Sequence, residues 1–470
     1  MSDLDSVATP APTPEDRRRA QRAWCWYDWA NSVFPTSVVT VFLSLYLTSV
    51  AKSAALADTA LNGPTPCAGD NTLVNCDVTF LGLQFPAGSL WGYLLSFATV
   101  IQVLVLPVAG AIADRSQNKR RMLAGFAFTG AVATCALALV QGQDWQLGVL
   151  LFTLGNVCWG TSVVVYYAFI PEISTADERD ALSSRGWAFG YLGGGCALAL
   201  QLVLFLGHDA VGLTEGQAVR VCFVITGLWW AGFTLVPLRV LRDRPNHERV
   251  DLGGGRISGG FRELGDTLRH ARAFPLTLAF LGAYLVFTDG ISTVANIAGQ
   301  YGALELKLEQ STLIAAILMS QFVAFLGGVL HGRLARHLGA KKTILVSLVW
   351  WVVMLVLAYF VQAGEVVQFW GLAAGIGLVL GGTNALARSL FSQMVPKGKE
   401  GQYFAVYEIG ERSTSWLGPL VYAGIGQATG SFRYAIISMI AFFVVGFVLV
   451  WLVPVRRAIR AVGNTEPALL

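Results

Sequence analysis

Gly110-Ala-Ile-Ala-Asp-Arg115-Ser-Gln-Asn-Lys119-Arg120 and Gly332-Arg-Leu-Ala-Arg336-His-Leu-Gly339-Ala-Lys341-Lys342 decide how this chain is read. Each is a small residue, a charged turn and a basic cluster set between long apolar runs, and the second begins 222 residues after the first. Repetition at that distance implies two similar halves, each with its basic loop on one side of a membrane.

Composition supports a membrane chain. The 470 residues are 54% hydrophobic and 13% charged, with a mean hydropathy of +0.57, far more apolar than a soluble domain. A spanning helix needs about 20 mostly apolar residues. Twelve such runs are expected, near residues 23–50, 89–112, 122–141, 146–170, 183–207, 218–239, 274–299, 311–331, 342–362, 367–388, 402–426 and 433–454. The fold class predicted is therefore an all-α membrane protein of two six-helix halves.

Orientation follows from charge. Of the 33 basic residues, 28 fall in alternate loops and tails, whereas the intervening loops hold only Lys52, Arg220, Lys307 and Arg433; Arg412 alone lies well inside a run. The positive-inside rule then predicts both termini on the cytoplasmic side. The net charge of +4 is dispersed among loops, which excludes a nucleic-acid surface. Residues 1–22 read as a cytoplasmic tail with no cleavable signal, 23–239 as the first half, 240–273 as a cytoplasmic linker, 274–455 as the second half and 456–470 as a tail. Within the linker, Phe261 to Arg272 reads as an amphipathic surface helix. Cys67 and Cys76 sit nine apart in the long outer loop 51–88, where a stapling disulfide is expected in a bacterial inner-membrane protein. The other five cysteines read as packing residues, and no metal site or cofactor is expected.

Polar residues inside spans are functional candidates. Asp289, Ser292, Thr293, Asn296 and Gln300 share one face of the seventh run. They are expected to line a central cavity, with Asp289 binding a substrate ammonium or a proton, or joining two helices by hydrogen bonds. Glu408 and Arg412 stand at i and i+4 in the eleventh run, where they form a salt bridge or leave Arg412 to bind a carboxylate. Asn156, Tyr167 and Asn384 are further uncharged candidates, for ligand or for helix packing. Asp28 and Asn31 in the first run are expected at an inner gate, Asp28 paired with Arg185 or Arg388. Asp114 is expected to latch the halves in one state by accepting hydrogen bonds at a helix end and pairing with Arg115 or Lys119.

The six-plus-six layout and the Gly-x-x-x-Asp-Arg loop resemble the major facilitator superfamily. Within it, Trp26-Tyr-Asp-Trp-Ala-Asn-Ser32, Ser184-Arg-Gly-Trp-Ala-Phe-Gly-Tyr-Leu-Gly-Gly194, Asp289-Gly-Ile-Ser-Thr293, Gly381-Gly-Thr-Asn-Ala-Leu-Ala-Arg-Ser389 and the run from Phe404 to Pro419 resemble the autophagy-related vacuolar amino-acid effluxers and their bacterial relatives. Gln117 and Asn118 depart from the superfamily loop, which usually has a glycine and a basic residue there. The resemblance implies a secondary transporter of a small polar or zwitterionic solute, amino acids among them, acting as a monomer in the bilayer with proton coupling possible. A lipid or lysolipid flippase is the alternative on the same fold. Catalytic motifs with His-Glu-x-x-His, Gly-x-Ser-x-Gly or a phosphate loop do not occur, so an enzyme is not expected.

Overall fold

The computed structural model describes residues 13–68, 71–80, 82–115, 118–174, 179–243, 274–396 and 400–464. Ten helices among these residues are long and apolar enough to cross a membrane. The second run, Leu90–Arg115, and the eleventh, broken into Glu400–Thr414 and Leu417–Thr429, complete the set. The linker from 244, with its expected surface helix, lies outside the described residues.

The first span begins earlier than its apolar residues do. Thr13 Oγ1 accepts from Asp16 N at 3.1 Å, Pro14 occupies a first-turn position that needs no N–H, and Glu15 and Asp16 complement the helix's positive end. The helix thus starts inside the segment read as a tail and continues to Ala57. Between Phe34 and Phe42 its ladder widens to π-helical. Pro35 offers no N–H to that ladder, and Thr40 Oγ1 donates to Pro35 O at 3.0 Å.

Each half builds its own core. One runs from Trp24 to Leu241 in sequence and takes in Ile314 and Ile317 from the second half; the other runs from Phe280 to Ile459. Small residues let backbones meet where lipid supplies no hydrophobic drive. A Cβ on Gly327 of the eighth span (Gln310–Leu338) would lie 2.1 Å from Leu378 O of the tenth (Val366–Gln393). Val132, Val203, Phe325 and Phe360 are each at least 68% exposed, an outward surface suited to acyl chains. Cys25, Cys158 and Cys222 are buried among the helices.

The loop after the first span forms a cap at one end of the bundle, the hairpin end. Strands β1 (Asp77–Phe80) and β2 (Leu83–Pro86) pair antiparallel with Asp77 opposite Pro86. Asn62 closes their base, accepting from Asp77 N at 2.6 Å and donating to Ala55 O at 3.1 Å. Cys67 Sγ and Cys76 Sγ stand 2.01 Å apart, at bonding distance. Between them Leu73 leaves the first half altogether and packs in the core of the second.

Neutral hydrogen bonds join the halves at this end. Gln300 Nε2 donates to Gly88 O at 2.9 Å and to Thr48 Oγ1 at 3.3 Å. Ser89 Oγ donates to Ala423 O at 3.1 Å, Ser96 Oγ to Trp416 O at 2.8 Å, and the Tyr93 hydroxyl to Gln427 Oε1. Two runs read as continuous are interrupted. The twelfth turns at Met439 between Phe432–Ser438 and Ile440–Leu452, and the break in the eleventh shapes the site.

Candidate functional site

The break in the eleventh span follows from Ser415-Trp416-Leu-Gly418-Pro419. Pro419 lacks an N–H and its ring crowds the carbonyl four residues earlier, so the first half-helix ends at Thr414 and a second begins at Leu417. A break at membrane depth leaves backbone groups that the protein must satisfy. Trp416 O takes the Ser96 hydroxyl, Ser415 Oγ donates to Glu411 O at 2.6 Å, and Gly418 N donates to Asp289 Oδ2 at 2.8 Å.

Asp289 is therefore not open to a cavity. It is 2% exposed, and Thr293, one turn further along the seventh span (Pro275–Leu304), is 1% exposed. A Cβ on Gly418 would lie 2.1 Å from Thr293 Oγ1 and 3.0 Å from Asp289 Oδ1, so glycine is the residue that permits this contact. The shared polar face read from the sequence divides in the structure. Asp289 and Thr293 meet the half-helix, Gln300 joins the inter-half bonds, and Ser292 and Asn296 are half-buried. In this arrangement Asp289 meets Gly418 and Thr293 rather than open space.

Arg412 takes a different course. Its guanidinium lies 5.2 Å over the ring of Trp159, in the fourth span (Trp145–Tyr167) of the opposite half. Trp159 Nε1 donates to Asn31 Oδ1 at 3.2 Å, and Asn31 Nδ2 to Tyr27 O at 2.8 Å. A cation over an indole face is held without being neutralised. Among the described residues Arg412 forms no ion pair. The side chain of Glu408, its expected partner, lies outside them.

Beside Arg412, Glu411 Oε2 accepts from the Tyr284 hydroxyl at 2.6 Å. Tyr284 stacks on Tyr407 at 4.3 Å, and the Arg388 guanidinium stands 5.8 Å over the Tyr407 ring. Glu411 was not singled out as a site residue from the sequence. Its adjacency to the lone intramembrane arginine was the signal available. In the first half the corresponding arrangement is Asp28 Oδ2 accepting from the Tyr166 hydroxyl at 2.9 Å, with Tyr166 stacked on Trp24 at 4.2 Å. Gly186 and Gly190 of the fifth span (Arg179–Leu206) pack directly against Asp28 and Ser32. Arg185 is exposed.

The remaining candidates scatter. Asn156 is buried, with its backbone carbonyl accepting from Gln102 Nε2 at 2.7 Å; Asn384 Oδ1 accepts from Thr288 Oγ1 at 3.3 Å; Tyr167 stands 5.4 Å from Tyr166, ring to ring. Asp114 and Arg115 end the second span, and their side chains lie outside the described residues. Lys119, at the start of the third span, is buried. Its Nζ pairs with Glu172 Oε1 at 2.6 Å and reaches Ala168 O at 3.4 Å, a link within the first half rather than between halves.

A family model described as "Vacuole effluxer Atg22 like" matches residues 16–463. The chain is 27% identical to the uncharacterized MFS-type transporter YxiO of Bacillus subtilis (strain 168), covering 93% of this chain and 95% of that one. It is 25% identical to autophagy-related protein 22-1 of Penicillium rubens, over 98% and 94% of the two chains. Among solved structures, the nucleoside transporter NupG aligns with a TM-score of 0.62 at 12% identity, covering 92% of this chain and 98% of its own. The xylose transporter XylE from E. coli aligns at 0.60 and 14%, covering 94% and 96%. The architecture is thus the major facilitator fold, an all-α membrane fold of two six-helix halves. The chain belongs to the Atg22-like vacuole effluxer family and is a membrane transporter of the MFS type.

Proposed function

We propose that this transporter exports a small carboxylate-bearing solute, amino acids foremost, by alternating access. The observation that carries the reading is Arg412. An intramembrane guanidinium held on the Trp159 face, without an acidic partner among the described residues, offers a planar fork to a carboxylate at the interface of the halves. Asn31, on the far side of Trp159, fixes that indole. Glu411, one residue earlier and oriented by Tyr284, replaces Asp289 as the counter-charge for an ammonium.

The hydrogen bonds at the hairpin end support a state in which that end is shut and the solute's route leads to the basic-loop end. With the basic loops cytoplasmic, as the positive-inside rule implies, this is the loading state of an exporter. Both termini then lie in the cytoplasm of a bacterium, and the monomer is the working unit because each monomer contains both halves.

Counterflow of radiolabelled amino acids in proteoliposomes tests the reading, with lipid scrambling measured in the same vesicles. Uptake of amino acids with free carboxyl groups and rejection of their amides is the expected result. Arg412→Lys keeps the charge but loses the fork, and should weaken solute affinity by roughly 10- to 100-fold. Scrambling without amino-acid counterflow, or unchanged affinity in Arg412→Lys, would overturn it.

A further inference from the structure

We propose that the second half holds one anionic phospholipid, with an acyl chain in a groove between the ninth span (Ala340–Phe360) and the twelfth, and the phosphate at the cations where those spans meet the basic-loop end. The groove measures about 290 Å³ and is lined by Leu345, Val346, Val349, Trp350 and Val353 of the ninth span and Phe447 of the twelfth. The indole nitrogen of Trp350 is the one polar side-chain atom among those residues, and it is turned to the tenth span, where it donates to Gly375 O at 2.9 Å. That bond fixes the indole as a standing wall and leaves the groove wholly apolar.

Depth selects the occupant. Leu345 to Val353 is eight residues of helix, a rise of about 12 Å, close to one leaflet's share of a hydrocarbon core about 30 Å thick. A second copy packing helix on helix would use a face running the depth of the bilayer, whereas a single acyl chain reaches about as far as this groove does. Leu345 is the sixth residue of its helix, so the groove lies in the leaflet at the basic-loop end.

Charge at that end completes the site. Lys342 precedes Val346, Val349 and Val353 by 4, 7 and 11 residues, so it shares their face and stands one turn beyond the groove. Lys341 is spent elsewhere. Its Nζ donates to Trp451 O at 2.9 Å and to Val453 O at 2.7 Å, which fastens the end of the twelfth span to the start of the ninth. Arg456 and Arg457 follow that junction directly, and with Lys342 they are exposed. Among the described residues none of these three forms an ion pair, in contrast to Lys119 and Arg433. Trp451, four residues beyond Phe447 and 63% exposed, stands between groove and cations, at the level where an indole suits the bilayer interface.

The coincidence of groove and cations is what sets this face apart. Val132, on the outer face of the first half, is equally open to acyl chains, but apolar exposure alone selects no headgroup. Here a lysine offers a point charge and the arginines planar forks to a phosphodiester, and an anionic headgroup, unlike a zwitterionic one, brings no ammonium to oppose them. The site is independent of which solute the protein carries.

Native mass spectrometry of the delipidated full-length protein in dodecyl maltoside tests the proposal, with phosphatidylglycerol, phosphatidylcholine of the same chains and glycerol 3-phosphate as probes. One phosphatidylglycerol per chain should bind, about tenfold more tightly than phosphatidylcholine, and glycerol 3-phosphate should neither bind nor compete. Lys342→Gln, Arg456→Gln and Arg457→Gln should together weaken phosphatidylglycerol by about fivefold for each charge removed. Val349→Trp fills the groove and should abolish the tight lipid, while Val132→Trp should keep it. Equal retention of the two lipids, tight binding of glycerol 3-phosphate alone, equal loss in Val349→Trp and Val132→Trp, or a dimer in place of the lipid adduct would overturn the proposal. The comparison of lipids on the unsubstituted protein decides the matter even where a variant fails to fold.

Discussion

The bonds that cross between the halves and those inside each half are of opposite kinds. At the hairpin end the bonds between the halves are neutral, Gln300 to Gly88 and Thr48, Ser89 to Ala423 and Ser96 to Trp416, while Arg433 Nε pairs with Glu305 Oε1 at 2.6 Å inside the second half. At the basic-loop end too, among the described residues, charged groups bond within their own half. Lys119 pairs with Glu172, Arg120 N donates to Asp243 Oδ1 at 2.9 Å, and Lys341 caps Trp451 O and Val453 O at 2.9 and 2.7 Å. The physical lesson concerns cost. A neutral hydrogen bond contributes about 1 kcal/mol net because water replaces it on opening. Separating a buried ion pair costs several times more. Bonds across the halves are the cheap kind, and the expensive kind keeps each half rigid.

Breaking that division at its strongest point gives the largest effect. Tyr93→Cys with Gln427→Cys, bridged by a short bismaleimide, ties the halves at the hairpin end. Transport should fall to background while solute binding from the basic-loop end survives. The same reagent across Arg120→Cys and Asp243→Cys joins residues of one half and should leave transport near normal. Equal loss in both pairs would abolish that distinction.

The next effect is on stability. Lys119→Met leaves Glu172, largely buried, without its ammonium at 2.6 Å, and removing one partner of such a pair costs about 3–5 kcal/mol. Denaturant unfolding of the purified protein should show the loss, and Lys119→Met with Glu172→Leu should recover much of it. The conformational balance at the hairpin end should hardly change, because the pair lies inside one half.

Gln300→Leu tests the cheap side. It deletes the donor to Gly88 O and Thr48 Oγ1 and should ease opening by about 1–1.5 kcal/mol, near tenfold in the open population. The readout is the rate at which Ser89→Cys is alkylated from the hairpin side. An unchanged rate would show that packing of Gly92 on Pro419 and Ala423, rather than hydrogen bonding, holds the end shut.

What the chain announced in advance was what depends on neighbours along it. Apolar runs of about 20 residues located the spans, and two nearby cysteines announced a closed loop. The 3.6-residue period placed Asp289, Thr293 and Gln300 on one face, but a period says nothing of what faces it. Gly418, which accepts Asp289 as its cap, is 129 residues away. The same limit applies to Arg412 and Lys119: i and i+4 spacing is visible in a string, whereas Trp159 comes from the other half and Glu172 from the loop after the fourth span. The helix break was written in Gly418-Pro419, yet it lay inside an apolar run long enough to pass for one span.

The smallest effect concerns Asp77, at the base of the hairpin. Burial raises its carboxyl above the usual carboxylate value. A raised value in the folded state means that the folded loop binds a proton more tightly than the unfolded one. Stability from this group is present below the unfolded value and is lost as pH rises through the folded value. At neutral pH the ionised Asp77 therefore works against the hairpin that Asn62 and the Cys67 to Cys76 loop hold in place. Asp77→Asn should raise amide protection of the strand pair slightly at neutral pH and remove its further rise in mild acid. Protection of the helix Val455–Ala461, at the opposite end, should not change. If acid protects both regions alike, the effect belongs to the whole fold, and the hairpin end owes nothing to Asp77.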